Sequence, residues 1–309
     1  MKIVFFGLGS IGQKHAKILI KNYKFDLYAF RSGMGNTPNQ LGIKELYSWD
    51  EVEKIKPDIA FITNPTSLHI DTAIKCAKLG CKLFIEKPIG KDTKGLVELL
   101  DLIKNRKLVT YLAYNLRFHP VILNLRKYLE GQKPFHTRVV CTSYFPSWRN
   151  STDYLKRYSA NLDMGGGVIL DLSHELDYIT YLFKEIHTIK GSYGRVSNVT
   201  VDSEDYVDFL ITTQMGPANV HVNFFSNIRQ RYIQMDFEKM TVIGDIINSE
   251  IKEYENETIK ETYKLEYDID QDYIMQIKYF FENIENHKMM NNLEEAADLF
   301  KKILEFKNG

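Results

Sequence analysis

The stretch KIVFFGLGSIGQKH, residues 2–15, decides the fold of this chain. A short apolar run leads directly into the spacing G-x-G-x-x-G, and a helical pattern follows, which predicts a strand, a tight turn and a helix start. Gly7 allows the sharp turn, Gly9 allows a pyrophosphate to approach the backbone, and Gly12 allows the helix to pack close to the strand. We therefore expect a dinucleotide site here, and a purely structural glycine turn is the alternative.

The helix start favours an anion, because its first backbone N–H groups have no partner within the helix. The cofactor-binding residues predicted on this turn are Gly7, Gly9, Ser10, Ile11 and Gly12. Any phosphate site must be local, because forty basic and forty acidic side chains cancel over the chain. The balanced charge gives no indication of a nucleic-acid partner.

The composition is typical of a soluble globular protein, with 44% hydrophobic and 26% charged residues. The length of 309 residues is enough for about two domains. No apolar run reaches the roughly 20 residues that span a bilayer, so no membrane partner is expected. Cys76, Cys81 and Cys141 form no metal-ligand or redox motif, and we interpret them as reduced thiols of a cytoplasmic protein.

The first part of the chain alternates short apolar runs with amphipathic helical patterns. We expect strands at 2–6, 25–30, 57–63, 82–85 and 108–113, and helices at 11–22, 68–79 and 92–105. Repeated strand–helix units predict an α/β Rossmann domain, a doubly wound parallel sheet that binds ligands at the carboxyl ends of its strands. We place this domain at residues 1–118.

After Pro120 the pattern changes to strands without intervening long helices. We expect strands at 138–144, 189–196, 206–213, 218–225 and 232–237, and helices at 121–130, 167–183, 271–286 and 293–306. This order predicts an α+β domain with a large open, mostly antiparallel sheet at residues 119–309, for substrate binding and oligomerisation. The C-terminal helix is expected to pack back on the first domain.

The end of the second strand reads FRSG at residues 30–33, where NAD sites carry an Asp or Glu for the ribose 2′-hydroxyl. The guanidinium of Arg31 is instead a permanently charged fork that suits a phosphate. Arg31 and Ser32 are therefore predicted to bind a 2′-phosphate, with NADP preferred over NAD. The alternatives are that NAD is also accepted, and that Arg31 is a solvated surface residue.

Polar residues also follow the third strand, at the same edge of the sheet. Asn64 and Thr66, on either side of Pro65, can bond to the ribose or carboxamide of a cofactor. His69 lies beside the next helical turn, so we interpret it as a residue of the helix start rather than as a catalyst. All four residues are predicted at the cofactor site.

The fourth strand ends in Glu86-Lys87-Pro88. A lysine at the carboxyl end of a strand, facing a cofactor, is a candidate proton donor, because partial burial makes an ammonium group usable near neutral pH. We predict that Lys87 is catalytic and that Glu86 and Lys87 contact the cofactor. The alternative is an ordinary surface Glu–Lys pair.

Two segments are candidates for the substrate. The bridge YNLRFHP, residues 114–120, is expected to line a cleft between the domains, or only to tie them together. Residues 144–158, YFPSWRNSTDYLKRY, offer rings to stack on a sugar and cations to hold an anion, or they form a surface loop. The substrate-binding residues predicted here are Asn115, Arg117, Trp148, Arg149, Tyr154 and Arg157.

One long helix is expected over residues 167–183, after three glycines that free the backbone. Its spacing places four polar residues on one face of an otherwise apolar helix: Asp171, His174, Glu175 and Tyr178. This polar stripe is expected to face an enclosed cleft, where His174 is a candidate acid/base that also binds the substrate; a solvated face is the alternative. A zinc site using Asp171 and His174 lacks further ligands, so no metal is expected.

Four motifs together resemble the Gfo/Idh/MocA family of oxidoreductases, over nearly the whole chain. They are GLGSIG at 7–12, EKP at 86–88, YNLRFHP at 114–120 and GGG-x3-D-x2-H at 165–174. The resemblance implies NAD(P)-dependent oxidation or reduction of a sugar, cyclitol or related alcohol by an enzyme that often forms dimers or tetramers. It places the family's catalytic lysine on Lys87, and the family's Asp and His on Asp171 and His174.

The last motif departs from the family pattern, because His174 stands three positions after Asp171 instead of four and Glu175 takes the fourth place. The H-x-x-D that often follows is kept as His174 and Asp177. His174 is therefore the better assignment, and Asp171 receives an orienting role. The SHELD variant is similar to members associated with bacterial surface-sugar biosynthesis, including nucleotide-activated sugars.

Two hypotheses on function follow. In the first, the chain transfers hydride between nicotinamide and a hydroxyl or keto carbon of a sugar, cyclitol or nucleotide-sugar, with Lys87 and His174 moving the hydroxyl proton. In the second, the chain is a non-catalytic NAD(P)-binding sensor on the same fold. The presence of both Lys87 and His174 favours the enzyme.

The strands between residues 189 and 237 carry apolar residues on both faces in places, as in VHVNFF at 220–225. One face must cover the helices of the domain, and the other would be an exposed apolar patch larger than monomers usually have. We therefore expect a homodimer or homotetramer through this sheet.

Overall fold

The computed structural model describes residues 1–33, 39–148 and 161–309, which form two compact units. The first unit consists of Met1–Tyr114 and Tyr273–Phe300, and the second of Asn115–Asp272 and Lys301–Gly309. The second unit thus begins at Asn115 rather than at residue 119, and the chain returns to the first unit near its end. Among the described residues, no helix is both long and apolar enough to cross a membrane.

The first unit is built on a six-stranded parallel sheet. Its strands are β1 (Lys2–Phe6), β2 (Asp26–Phe30), β3 (Lys44–Leu46), β4 (Ile59–Ile62), β5 (Lys82–Ile85) and β6 (Thr110–Leu112). Its helices include α1 (Ser10–Asn22), α2 (Trp49–Ile55), α3 (His69–Lys78) and α4 (Leu96–Arg106), joined by α8 (Gln271–Glu282) and the start of α9 (Leu293–Asn308). The strand order β3-β2-β1-β4-β5-β6 confirms the Rossmann fold and places its ligand crevice where β1 and β4 adjoin.

The central strands of this sheet are apolar on both faces, as parallel strands covered on both sides must be. Val4 and Phe5 of β1 are fully buried. The ring of Phe61 on β4 stacks on that of Phe84 on β5 at 4.4 Å. Phe280 of α8 is fully buried and lies edge-on to Phe84 at 5.4 Å. Residues from the end of the chain therefore complete the core of the first unit.

β3 and α2 were not predicted from the sequence, although a capping motif marks the start of α2. The hydroxyl of Ser48 accepts a hydrogen bond from the Glu51 N–H at 3.3 Å, and the Glu51 carboxylate accepts one from the Ser48 N–H at 3.0 Å. This reciprocal capping box has the sequence pattern S-x-x-E. β3 has only three residues, of which Leu46 alone is buried, so it shows no alternation.

The second unit is built on an eight-stranded sheet. Its strands are β7 (His136–Tyr144), β8 (Ile186–Gly194), β9 (Tyr206–Thr213), β10 (Gly216–Asn223), β11 (Phe225–Asp236), β12 (Thr241–Asp245), β13 (Glu250–Glu255) and β14 (Thr258–Lys264), and its helices include α5 (Pro120–Leu125), α6 (Val168–Asp171) and α7 (His174–Phe183). In the order β14-β13-β12-β11-β7-β10-β9-β8, β7 and β10 are parallel and the other neighbours antiparallel, which confirms the second fold prediction. The strands β12 to β14 were missed; every residue of β14 is exposed, so it has no buried face to detect.

The single helix expected over residues 167–183 is wrong. α6 ends at Asp171 and α7 begins at His174, and Leu172 between them leaves the helical conformation with φ −100° and ψ 27°. The sequence does not reveal this break, because Val168 of α6, Leu172 at the break and Leu176 of α7 are all buried at helical spacing. A helical wheel drawn through residues 171–178 therefore does not describe these side chains.

The segment 220–225 does not form the exposed apolar patch that we expected. β9 and β10 alternate in burial, and Val220 and Val222 each have 1% of their surface exposed on the covered face. The opposite face is mixed: Leu210 is 62% exposed, but the ring of His221 lies 2.7 Å from the carboxylate of Asp208. The homodimer or homotetramer stays a prediction.

Light scattering at micromolar concentration is expected to give two or four times the chain mass of 36.1 kDa. If the open sheet face makes the contact, Leu210→Asp should lower that mass by placing a charge in an apolar contact, and the exposed Lys184→Asp off the sheet should not. A monomeric parent protein would contradict the prediction.

Candidate active site

The glycine turn between β1 and α1 is packed too tightly for a side chain at two positions. Gly7 has φ +102°, and a Cβ there would lie 2.8 Å from the carbonyl oxygen of Thr63. A Cβ on Gly12 would lie 2.3 Å from the carbonyl oxygen of Gly7. The Thr63 hydroxyl donates to that carbonyl at 2.7 Å, which joins the turn to the end of β4. A Cβ on Gly9, in contrast, would meet nothing within 4 Å, as expected where backbone faces a ligand.

A cavity of about 480 Å³ opens at the carboxyl ends of β1, β2 and β4. Six predicted cofactor residues line it: Gly7, Gly9, Arg31, Ser32, Asn64 and Pro65. The lining also includes polar residues that were not predicted at the cofactor site, among them Gln13, Asn39 and Gln40. The predicted residues Ser10, Ile11 and Gly12 form the first turn of α1. The volume and the glycine geometry fit part of a dinucleotide.

Arg31 lines the cavity and forms an ion pair. Its Nη1 donates to Glu45 Oε1 at 2.8 Å, and its backbone N–H donates to the Leu46 carbonyl at 2.9 Å. The second oxygen of Glu45 accepts a hydrogen bond from the Tyr47 hydroxyl. The Arg31 and Glu45 side chains are 18% and 23% exposed. A carboxylate therefore stands beside the end of β2 after all, and the neighbouring strand supplies it.

His69 ties two loops together. Its Nδ1 lies 2.8 Å from the carbonyl oxygen of Pro88, and its Nε2 lies 2.9 Å from that of Asn64. Burial lowers the pKa of His69, and the two carbonyl contacts oppose that shift. Since both ring nitrogens lie against backbone carbonyls, the geometry favours a positioning role for His69, and its contact with a cofactor stays a prediction. Thr66, in the short 3₁₀ helix Thr66–Leu68, is also buried.

The segment at the end of β5 is anchored on both sides of Lys87. Glu86 is 8% exposed, and its Oε1 lies 2.6 Å from Nε2 of the fully buried His15 on α1. Its Oε2 accepts from the Lys87 N–H at 3.3 Å. The Lys87–Pro88 peptide is cis. The Glu86 carboxylate is thus engaged by His15 and by the Lys87 backbone. Lys87 is half-buried and directly follows the carboxyl end of β5, and its catalytic role stays a prediction.

Arg117, predicted to bind the substrate, lies in a buried ion pair within the second unit. Its Nε donates to both carboxylate oxygens of Asp177 at 3.0 and 3.1 Å, and its Nη2 donates to Oδ1 at 2.7 Å. The two side chains are 3% and 1% exposed. Asn115 is also buried and donates to the carboxylate of Asp272. The geometry favours a structural role for both residues, the alternative that the sequence left open.

Trp148 packs into an aromatic cluster rather than standing free on a loop. Its indole Nε1 donates to the Ser143 hydroxyl at 2.9 Å, and its ring lies 5.0 Å from Phe145 and 5.5 Å from Phe224. Arg149, Tyr154 and Arg157 lie outside the described residues.

The break between α6 and α7 separates the two predicted catalytic residues of the second unit. Asp171 closes α6 and is 4% exposed, whereas His174 opens α7 and is half-buried. The three-residue spacing therefore spans a turn between helices rather than one helical turn. The roles of both residues stay predictions.

Glu175 faces a cation that the sequence did not indicate. Its side chain is fully buried, and its Oε1 accepts from Nε of Arg231, on β11, at 2.7 Å. The Tyr178 hydroxyl donates to the same oxygen at 3.4 Å. Burial and the charge of Arg231 also lower the pKa of the nearby His119 to about 4. The Glu175 carboxylate is thus paired within its own unit, with a cation that lies 56 residues away in the sequence.

Family models match both parts of the chain. Residues 1–114 match the model described as an oxidoreductase family with an NAD-binding Rossmann fold, and residues 133–245 match the GFO/IDH/MocA C-terminal domain. The chain belongs to the Gfo/Idh/MocA oxidoreductase family. The resemblance drawn from its four motifs is thereby confirmed.

Individual relatives of this Gfo/Idh/MocA protein are distant. The inositol 2-dehydrogenase of Rhizobium meliloti is 28% identical over 227 residues, which cover 70% of this chain and 66% of the relative, just under two thirds of its length. The structure of a UDP-N-acetylglucosamine 3-dehydrogenase from Acidithiobacillus ferrooxidans has a TM-score of 0.80 at 20% identity, and covers 100% of this chain and 97% of the other. A levoglucosan dehydrogenase in complex with NADH has a TM-score of 0.85 at 14% identity, with coverages of 100% and 97%.

The buried pair of Arg117 and Asp177 gives a stability prediction. Arg117→Ala leaves a buried carboxylate without its main partner and should lower the free energy of unfolding by about 3–5 kcal/mol. Arg117→Met combined with Asp177→Leu removes both charges and should recover most of the loss. Urea denaturation followed by circular dichroism measures both. A loss below about 1 kcal/mol for Arg117→Ala would show that the pair is not structurally important.

Proposed function

We propose that this chain is an NAD(P)-dependent oxidoreductase that transfers hydride between a nicotinamide and a hydroxyl or keto carbon of a sugar, cyclitol or nucleotide-sugar. The observation that carries the proposal is the glycine turn: Gly7 and Gly12 leave no room for a side chain, and Gly9 lies open on a 480 Å³ cavity. Membership of an oxidoreductase family along both units supports the same activity.

The residues around the cavity fit a dinucleotide. The N–H groups at the start of α1, around Ser10 and Ile11, would receive the pyrophosphate. Arg31 and Ser32 would face the adenosine ribose, and Asn64 the second ribose or the carboxamide. When bound, the nicotinamide supplies or accepts the hydride.

We assign the proton of the substrate hydroxyl to Lys87 and His174. Lys87 stands at the carboxyl end of β5, held by the contacts of Glu86 and of His69 with the adjoining backbone. His174 opens α7 and is half-buried, and an imidazole is the side chain that most often serves as a general acid or base. Asp171 keeps only an orienting role.

The relatives favour a polyhydroxylated ring as substrate. Their names specify inositol, UDP-N-acetylglucosamine and levoglucosan, and each of these compounds carries secondary alcohols on a ring. That shared chemistry defines the substrate class that we propose. A role in surface-sugar biosynthesis and a cytoplasmic location stay predictions.

Lys87→Ala and His174→Ala are each expected to lower kcat by at least about 100-fold, because positioned acid–base groups contribute about 10²–10⁴-fold in rate. NADPH affinity should stay within about two-fold, since the lost groups act on the substrate proton. Stopped-flow single-turnover absorbance of the nicotinamide, with a substrate found from a panel of sugars, cyclitols and nucleotide-sugars, measures the step.

The exposed residues Lys94 and His187 provide matched controls as Lys94→Ala and His187→Ala, which should react at the parent rate. If His174→Ala transfers hydride at the parent rate while Asp171→Asn or Glu175→Gln does not, the catalytic residue has been misassigned. A parent protein that binds NADPH but turns over no member of the panel would favour the sensor.

We propose that NADPH binds more tightly than NADH, as the guanidinium at the end of β2 suggests. A charge-assisted hydrogen bond contributes about 1.5–3 kcal/mol, and a ten-fold change in affinity corresponds to about 1.4 kcal/mol. Arg31→Ala should therefore weaken NADPH binding at least ten-fold and leave NADH nearly unchanged. Fluorescence titration of both cofactors checks this; equal losses would refute the contact with a 2′-phosphate.

A further inference from the structure

The cation that lines the corner of the cavity next to the end of β2 is paired with a carboxylate. Arg31 lines the cavity and donates to Glu45 at 2.8 Å, and both side chains are mostly buried. Glu45 stands directly opposite Ala29 in the parallel pairing of β2 and β3, so the backbone register itself brings the carboxylate here. The charge that a bound ribose meets at this corner is therefore set by the pair.

The Glu45 carboxylate is also held from its other side. One oxygen accepts from Arg31 and the other from the Tyr47 hydroxyl. The Arg31 backbone is fixed independently, since its N–H donates to the Leu46 carbonyl at 2.9 Å. Contacts within the protein thus fix both members of the pair.

We infer that Glu45 is a specificity-determining residue, which limits the preference for NADPH by holding the Arg31 guanidinium in an ion pair. The inference rests on the proposed function and deepens it. A 2′-phosphate that approaches Arg31 also approaches the Glu45 carboxylate, and like charges at short range repel strongly where water is partly excluded. A 2′-hydroxyl carries no charge and is not penalised. Glu45 thus places beside the end of β2 a negative charge that disfavours a 2′-phosphate.

Glu45→Gln is the decisive variant, because the amide keeps the shape and an oxygen acceptor for Arg31 while the charge is lost. NADPH affinity should rise at least about five-fold, and NADH affinity should stay within about two-fold. Titration of both cofactors by fluorescence measures the ratio directly and needs no substrate. Glu53→Gln, an exposed carboxylate on α2, removes the same charge nearby and should change neither affinity.

The double variant Arg31→Ala with Glu45→Gln shows whether Glu45 acts through the arginine. In the Arg31→Ala background, the gain from Glu45→Gln should fall below about two-fold. An unchanged or lower NADPH affinity in the single variant, or an equal gain with and without Arg31, would overturn the inference while leaving the proposed function intact. Absence of binding of either cofactor to the parent protein would overturn both.

Discussion

The contact between Gly12 and the carbonyl of Gly7 is the constraint on which the cofactor site depends. A Cβ on Gly12 would lie only 2.3 Å from that oxygen. The close packing of α1 against the turn after β1 therefore requires glycine at this position. The Thr63 hydroxyl then joins the same carbonyl to the end of β4. One short network of backbone and hydroxyl contacts thereby sets the position of the first helical turn, whose N–H groups a pyrophosphate would need.

Two buried arginine–carboxylate pairs play the corresponding role in the second unit. Arg117 holds Asp177 and Arg231 holds Glu175, so α7 is tied at two points to distant parts of the chain. Such pairs need not add net stability, but removing one partner leaves a buried charge uncompensated. Both contacts lie on the helix that His174 begins.

The sequence predicted local features well and long-range pairings poorly. The glycine turn and the ends of β1 and β5 depend on residues close in the chain, and their patterns are readable. The sequence does not indicate the carboxylate beside Arg31, because Glu45 comes fourteen residues later, on a strand too short to show alternation. Arg117 pairs with Asp177, which lies sixty residues later in the chain, and no local sequence pattern predicts that pairing. The break before His174 was hidden because both helices bury the same apolar spacing.

The first unit is assembled from two distant pieces of the chain. The Leu112 N–H donates to the Asn291 carbonyl at 2.8 Å, and the Leu293 N–H donates to the Thr110 hydroxyl at 2.9 Å. Phe280 covers aromatic rings on the central strands. During synthesis on the ribosome, all six strands of this sheet therefore emerge long before the helix that shields them. The nascent chain carries an uncovered aromatic surface until residues 115–272, the larger part of the second unit, have been translated.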